Sequence, residues 1–270
     1  MGISRRDIDV LIRLRRENHV PAEGTVAEIG CQQLGNSFLA SGEELSQLGR
    51  LFGKTEELRL PAPSRNINIA HGDLVHCEET APMARLFWEW LGYRYVSIDV
   101  DGNGSIELDL NFDEVPQAYR GGFDLVTNFG TTEHVANQLN AFEVIHDLAR
   151  VGGVMVHHLP LQGMMDHGLI NYNPKFFWTL ARSNGYQWLD SDLLMSTVHC
   201  DLPQDVIDEV QPFQPDIADR TRDYRTSDLM ALVALKKPHD LPFVSPIDVP
   251  NHARTNNKKL RERYWTIFDR

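Results

Sequence analysis

Apolar residues along the chain recur in two alternating rhythms, one of helical spacing and one of short buried runs. From Ser4 to about Asn18, Ile8, Leu11 and Leu14, with Val10 beside them, fall at helical intervals, and Ser4 followed by Asp7 forms an N-cap arrangement. Pro21, Glu23 and Gly24 end that helix. Thr25-Val26-Ala27-Glu28-Ile29-Gly30 is a short apolar run closed by glycine, the pattern of a buried parallel strand. The next run of that quality is Tyr95 to Val100. Between them lie a helical stretch from Ser37 to Phe52, a Pro61/Pro63 break, Ile67-Asn68-Ile69-Ala70 and a helix from about Ala81 to Leu91. This is more than one strand-helix-strand crossover needs, so part of it reads as a local elaboration.

After Gly102 and Gly104, Ser105 to Leu110 reads as a third strand and Phe123 to Asn128 as a fourth. Asn137 to Arg150 is helical, with Leu139, Phe142, Val144, Ile145 and Leu148 on its apolar side. A Gly152-Gly153 turn then leads to a fifth strand, Val154 to Leu159. Pro174 suits the first turn of a helix that Asn184-Gly185 stops. Further strands are expected near Tyr186 to Leu189 and at Leu229 to Leu235. Arg261, Tyr264, Trp265 and Phe268 suggest a last amphipathic helix docked on its own domain or on a twin subunit. This alternation predicts an α/β fold with a mostly parallel, seven-stranded sheet and helices on both faces. The expected division is an N-terminal helix over 1–24, a main domain over 25–238 with an insertion at about 36–92, and a C-terminal extension over 239–270.

Composition narrows the function. A chain of 270 residues with 42% hydrophobic content can bury a core without disulfides or metals. The formal net charge of −12 repels polyphosphate, so nucleic acid is not a favoured partner. Two basic stretches, Arg5 to Arg16 and Arg254 to Arg263, read as solvated helix faces, with a subunit contact or a gate for an anionic substrate as alternatives. Cys31, Cys77 and Cys200 are an odd, widely spaced set, which fits a reducing compartment better than a disulfide framework. With no apolar leader and no run approaching the roughly 20 apolar residues that span a bilayer, a cytoplasmic location away from membranes is expected.

In open α/β sheets, ligands sit beyond the carboxyl ends of the strands where the strand order reverses. The strand-end residues Glu28, Gly30, Asp99, Asp109 and Asn128 are therefore the candidates. Glycine allows close backbone approach, and an acid ending the second strand can accept both hydroxyls of a ribose. Ala27-Glu28-Ile29-Gly30-Cys31, Tyr95 to Asp99, Phe123 to His134 and Leu148 to Gly153 resemble, in that order, motifs of the class I S-adenosylmethionine-dependent methyltransferase family. The resemblance extends over roughly Thr25 to Lys236. It implies a Rossmann-like methyltransferase fold, methyl transfer as the activity and S-adenosylmethionine as cofactor. Glu28, Gly30 and Cys31 would then approach the amino-acid end of the cofactor and Asp99 its ribose. Asp109 and Leu110 would lie near adenine, and Asn128 would face the methionine portion.

The sequence departs from the family where two further alternating glycines are usual: Gln32 and Leu34 stand there, and Gly35 is displaced by one position. Gln32 would narrow the cleft or substitute a polar contact. A catalytically silent binding or assembly protein is the alternative this departure favours. NAD is a weaker competitor, because its G-x-G-x-x-G pattern needs glycine at position 32.

A general base for an oxygen acceptor is best sought among histidines. His134 follows the fourth strand, His157 and His158 lie in the fifth, and His167 follows it, with Glu133 and Asp166 as candidate orienting neighbours. His157 and His158 should face opposite sides of the sheet, and His158, nearer the strand end, is the preferred base, with His134 and His167 next. His and Asp also suit metal ligation, but no spacing such as HExxH supports it and no metal is expected. The polar run Asn171-Tyr172-Asn173 suits a small-molecule or glycan hydroxyl acceptor.

Overall fold

The structure is a computed structural model in which residues 2–61, 69–71, 74–76, 81–100, 104–162, 164, 167–189, 194–197, 229–249 and 254–268 are described. Helix α1 (Arg5–Arg16) leads into β1 (Gly24–Ile29). Before β4 (Tyr93–Asp99) come α2 (Asn36–Leu39), α3 (Gly42–Leu51), the short pair β2 (Ile69–His71) and β3 (Leu74–His76), and α4 (Ala84–Leu91). Then follow β5 (Ile106–Glu107), β6 (Phe123–Phe129), α5 (Gln138–Leu148), β7 (Ala149–Gln162) and α6 (Pro174–Asn184). The chain continues through β8 (Gln187–Trp188), β9 (Leu194–Thr197), β10 (Leu229–Lys236), α7 (Lys258–Arg263) and α8 (Trp265–Phe268).

The main sheet runs β5-β4-β1-β6-β7-β10-β8, with β9 also paired to β10. Its first five strands are mutually parallel, and among the described strands β10 alone is reversed, antiparallel to β7, β8 and β9. This is the Rossmann-like, mostly parallel architecture the sequence predicts, with eight strands rather than seven among the described residues because β9 joins β10. Alternate strand residues serve two cores. Ala27, Ile29, Val126, Met155 and Leu159 pack with Phe142, Ile145 and Phe177 of α5 and α6. Val26, Leu125, Phe129, Val154 and Val156 pack with Ile8, Leu11, Leu48, Phe87 and Trp88 of α1, α3 and α4. Among the described residues, no helix is long and apolar enough to cross a membrane.

Three local expectations are corrected. The third strand ends at Glu107, short of Asp109 and Leu110, because the Asp109 side chain accepts from Asn111 N (2.8 Å) and starts a turn. Gly152-Gly153 is not a turn before β7 but a bulge inside it. The β6 partners step from Ala149 to Val154, and a side chain at Gly153 would stand 2.7 Å from the Phe123 carbonyl. The helix expected over 37–52 divides at Ser41, whose hydroxyl and N–H both turn back to the Phe38 carbonyl.

Helix α1 is fixed to the sheet by its own cap. Asp7, fully buried, accepts from Ser4 N (2.7 Å) and Ser4 Oγ (2.6 Å) on one oxygen and lies 2.9 Å from His158 Nδ1 of β7 on the other. Asp7→Ala should therefore lose both a cap and a buried link, lowering the unfolding free energy by about 2–4 kcal/mol, against about 1 kcal/mol for Ser4→Ala. Urea unfolding followed by circular dichroism measures both, and equal small losses would show that the link to β7 contributes nothing.

Candidate functional site

From β1 the chain passes to β4 and β5 on one side, and from β6 to β7 on the other, so the order reverses between β1 and β6. The crevice beyond their carboxyl ends is the position at which such sheets bind ligands. Gly30 opens it. Its φ of +77° is left-handed, and a Cβ there would lie 2.4 Å from Thr131 Oγ1. Gly30 N donates to the Ile98 carbonyl (2.7 Å) and Cys31 N to Asp99 Oδ2 (2.7 Å), while Val100 N donates to Asp99 Oδ1 (2.8 Å). Gly30, Cys31 and the half-buried Asp99 thus meet where β1 and β4 end.

Gln32 lies across this crevice. Its Nε2 donates to Thr131 Oγ1 (2.8 Å) and to the Ile29 carbonyl (3.3 Å), and Thr131 Oγ1 donates to that same carbonyl (2.7 Å). The loops after β1 and β6 are therefore latched by one buried side chain. Its Oε1 is buried and has no hydrogen-bond partner among the described residues.

Glu28 and Asn128 lie beneath the crevice rather than at its surface, both fully buried. The Glu28 carboxylate receives Trp88 Nε1–H (2.9 Å), the Tyr95 hydroxyl (2.6 Å) and Gln32 N–H (3.0 Å). Burial pushes its pKa up to about 7, held from rising further by those donors, and burial, reinforced by Glu28, drives the Tyr95 hydroxyl well above its ordinary value. Asn128 donates to Thr132 Oγ1 (2.8 Å), accepts from Thr132 N (3.3 Å) and lies 3.3 Å from His157 Nδ1, so its amide shapes the turn after β6. Asp109 is half-buried in the turn past β5, and Leu110 packs into the core against α5.

The four histidines separate into three environments. His157 faces α5 and α6, its ring 5.3 Å from that of Phe142 and 6.0 Å from that of Phe177, and burial lowers its pKa to about 3. His158 faces α1, where Asp7 fixes Nδ1–H as the donor and leaves Nε2 as a buried acceptor with no partner among the described residues. His134 and His167 stand together, ring centroids 5.3 Å apart, on either side of Glu133. Burial lowers the His134 pKa, opposed by Glu133 and reinforced by His167. Asp166 lies outside the described residues. The Tyr172 hydroxyl is engaged within the fold, 2.5 Å from Gln138 Oε1 and 2.8 Å from Thr132 Oγ1. Asn173 caps α6 through Lys175 N, and Asn171 alone of that run is an exposed side chain outside a cap. The sequence reading missed Asp7 as the partner of His158, because its helix-capping role already accounted for an acid at that position.

No protein-family model matches this chain, and no curated protein matches its sequence. Solved structures of similar chain course include a TehB-like SAM-dependent methyltransferase from Corynebacterium glutamicum, 12% identical over 84% of this chain and 87% of that one, with a TM-score of 0.40. Another is a SAM-dependent methyltransferase from Archaeoglobus fulgidus (11% identity, 84% and 93% covered, TM-score 0.37). A third is the 1,6-didemethyltoxoflavin-N1-methyltransferase of Burkholderia thailandensis, solved with 1,6-didemethyltoxoflavin and S-adenosylhomocysteine (11% identity, 87% and 82% covered, TM-score 0.40). At such identities and TM-scores, function rests on the residues of this chain.

The raised Glu28 pKa makes a signed prediction. The folded protein holds this proton more tightly than the unfolded chain. The group's stabilisation is therefore full below about pH 4.5 and is lost as pH rises through about 7, a change of about 3 kcal/mol. His146 and His157, lowered to about 4 and about 3, act with the opposite sign, gaining stability as pH rises toward 6.5. The difference between wild type and Glu28→Gln, followed by urea unfolding from pH 5 to 8, isolates the Glu28 component. A difference that does not vary with pH would remove it.

Proposed function

We propose that the protein transfers a methyl group from S-adenosylmethionine to a hydroxyl of a small polar acceptor, a sugar or glycan among the candidates. The observation that carries this reading is the meeting of Gly30, Cys31 and the Asp99 carboxylate at the ends of β1 and β4, beside the reversal of strand order. These residues suit the cofactor: a strand-end acid for ribose, a glycine that admits backbone approach, and, in Gln32 Oε1, a buried acceptor suited to an ammonium group. Asp109 and Leu110 would border the adenine. When bound, S-adenosylmethionine supplies a methyl group on a sulfonium centre, which departs as a neutral thioether.

The chain must orient the acceptor and take its proton. His158 is suited to proton removal, because Asp7 holds Nδ1–H and so leaves the Nε2 lone pair as the proton acceptor. As the acceptor oxygen gains its methyl group, the hydroxyl proton moves to Nε2, and the resulting imidazolium lies 2.9 Å from the Asp7 carboxylate. Asn171, an exposed side chain after β7, would hydrogen-bond a polar acceptor.

Calorimetric titration with S-adenosylhomocysteine should give saturable binding, weakened about tenfold or more in Asp99→Ala, with no binding of NAD. His158→Ala should lower kcat about 100-fold or more while leaving S-adenosylhomocysteine affinity intact. Undiminished kcat in that variant would take the base role from His158.

A second reading, a catalytically silent binding protein, is favoured by the Gln32 latch over Gly30. If the latch obstructs the cofactor, Gln32→Gly should tighten S-adenosylhomocysteine binding. If Gln32 Oε1 instead receives the cofactor, the same change should weaken it. The direction of the change in Kd separates the two.

A further inference from the structure

We propose that Glu133, His134 and His167 form a binding site for a divalent transition-metal ion of the zinc type. The fold sets these residues together although the chain separates them. Glu133 and His134 belong to a short 3-10 turn, Thr132–His134, that follows β6. The loop after β7 is tied back to that turn by Leu169 N and Ile170 N, which both donate to the Glu133 carbonyl (2.8 and 3.1 Å). Gly168 permits the contact, since a Cβ there would stand 2.9 Å from Glu133 Cγ. Behind the turn, Tyr172 and Asn128 hold Thr132, so the cluster rests on a hydrogen-bonded support of the kind that fixes metal ligands.

The state of Glu133 points to a cation. Its side chain is 0% exposed, and neither carboxylate oxygen has a hydrogen-bond partner among the described residues. A carboxylate buried in that way costs several kcal/mol unless a positive charge faces it. The facing atoms are His167 Nε2 at 3.6 Å and His134 Nε2 at 4.0 Å. Both are too far for a charge-assisted hydrogen bond, which closes to about 2.7–2.9 Å. They approach the spacing of ligands that share one ion: bonds of about 2.0–2.2 Å at a tetrahedral angle separate neighbouring donors by roughly 3.4 Å. The three donor atoms all lie within 4.8 Å of one another, so side-chain rotations that close the widest gap by up to roughly 1.4 Å complete the set. His167 Nε2 is likewise buried with no hydrogen-bond partner among the described residues.

Two imidazoles and a carboxylate suit zinc, cobalt or iron better than magnesium or calcium, which take oxygen donors. Three protein ligands also leave coordination positions for water or a substrate atom, as catalytic rather than structural sites do. The turn lies at the same carboxyl edge as the switch-point crevice, and the inference stands on Glu133 and its histidines alone, independent of cofactor binding.

Tag-free protein stripped with a chelator should take up one equivalent of Co2+ with visible d–d absorption, and Zn2+ should displace it. His167→Ala and Glu133→Gln should each weaken Co2+ binding about tenfold or more, since loss of even an outer partner of a ligand has that effect. His134→Ala, at a half-exposed position, gives the same reading should a variant at the buried Glu133 fail to fold. His19→Ala, remote in sequence and beside Glu17, should bind as wild type does. No Co2+ absorption in folded wild-type protein, or variant titrations that superimpose on wild type, would overturn the site. S-Adenosylhomocysteine titrated into the same stripped samples reports the cofactor reading separately.

Discussion

Three donors converge on the Glu28 carboxylate from three parts of the chain: Gln32 N–H from the loop it precedes, Trp88 from α4, and the Tyr95 hydroxyl from β4. The crevice depends on this convergence. A carboxylate at the end of a central strand, fully buried, is tolerable only if its lone pairs are met, and meeting them fixes the turn after β1, the seating of α4 and the register of β1 against β4 together. With Gln32 N held by Glu28, the Gln32 side chain is directed over Gly30 to Thr131, which draws in the loop after β6. The polar groups that border the crevice are thus positioned from below by a residue that does not reach its surface.

The sheet was legible because strand and helix rhythms depend on neighbours a few residues away. The stretches Val26 to Ile29, Leu125 to Phe129 and Met230 to Leu235 are buried throughout, and their largely apolar content says so directly. Legibility failed where a backbone detail decides. Ser105 to Leu110 has the alternation of a strand, yet the Asp109 side chain favours a turn and shortens β5 to Ile106–Glu107. Gly152-Gly153 looks like a turn signal in any local reading, and only pairing with both β6 and β10 shows it to be a bulge.

The strand-end positions of Gly30 and Asp99 follow from the pattern of the strands, so their place at the crevice could be read from the sequence. Side-chain partnerships could not. Asp7 and His158 are 151 positions apart, and each has a sufficient local explanation, one as a helix cap and the other as a strand residue. Tyr172 shows the converse error. A polar residue in a loop suggests recognition, but the loop folds inward and its hydroxyl is used by Thr132 and Gln138. Spacing rules for metals look for ligands on one helix or one loop, and His167 reaches Glu133 only because the loop after β7 is bound to the turn after β6.

The two histidine groups at the carboxyl edge are not interchangeable. His158 faces α1 and is oriented by an acid whose other oxygen is already occupied by Ser4, so under the proposed function that acid would fix a tautomer and stabilise an imidazolium. Glu133 has no such donors among the described residues, and the nearest imidazole nitrogens stop short of hydrogen-bonding distance. The first arrangement suits a proton acceptor, the second a multivalent cation. If the proposed ion and the proposed base met one acceptor, the ion would lower the pKa of its hydroxyl while the base removed the proton, so that a neutral histidine could work on an acceptor far more weakly acidic than itself.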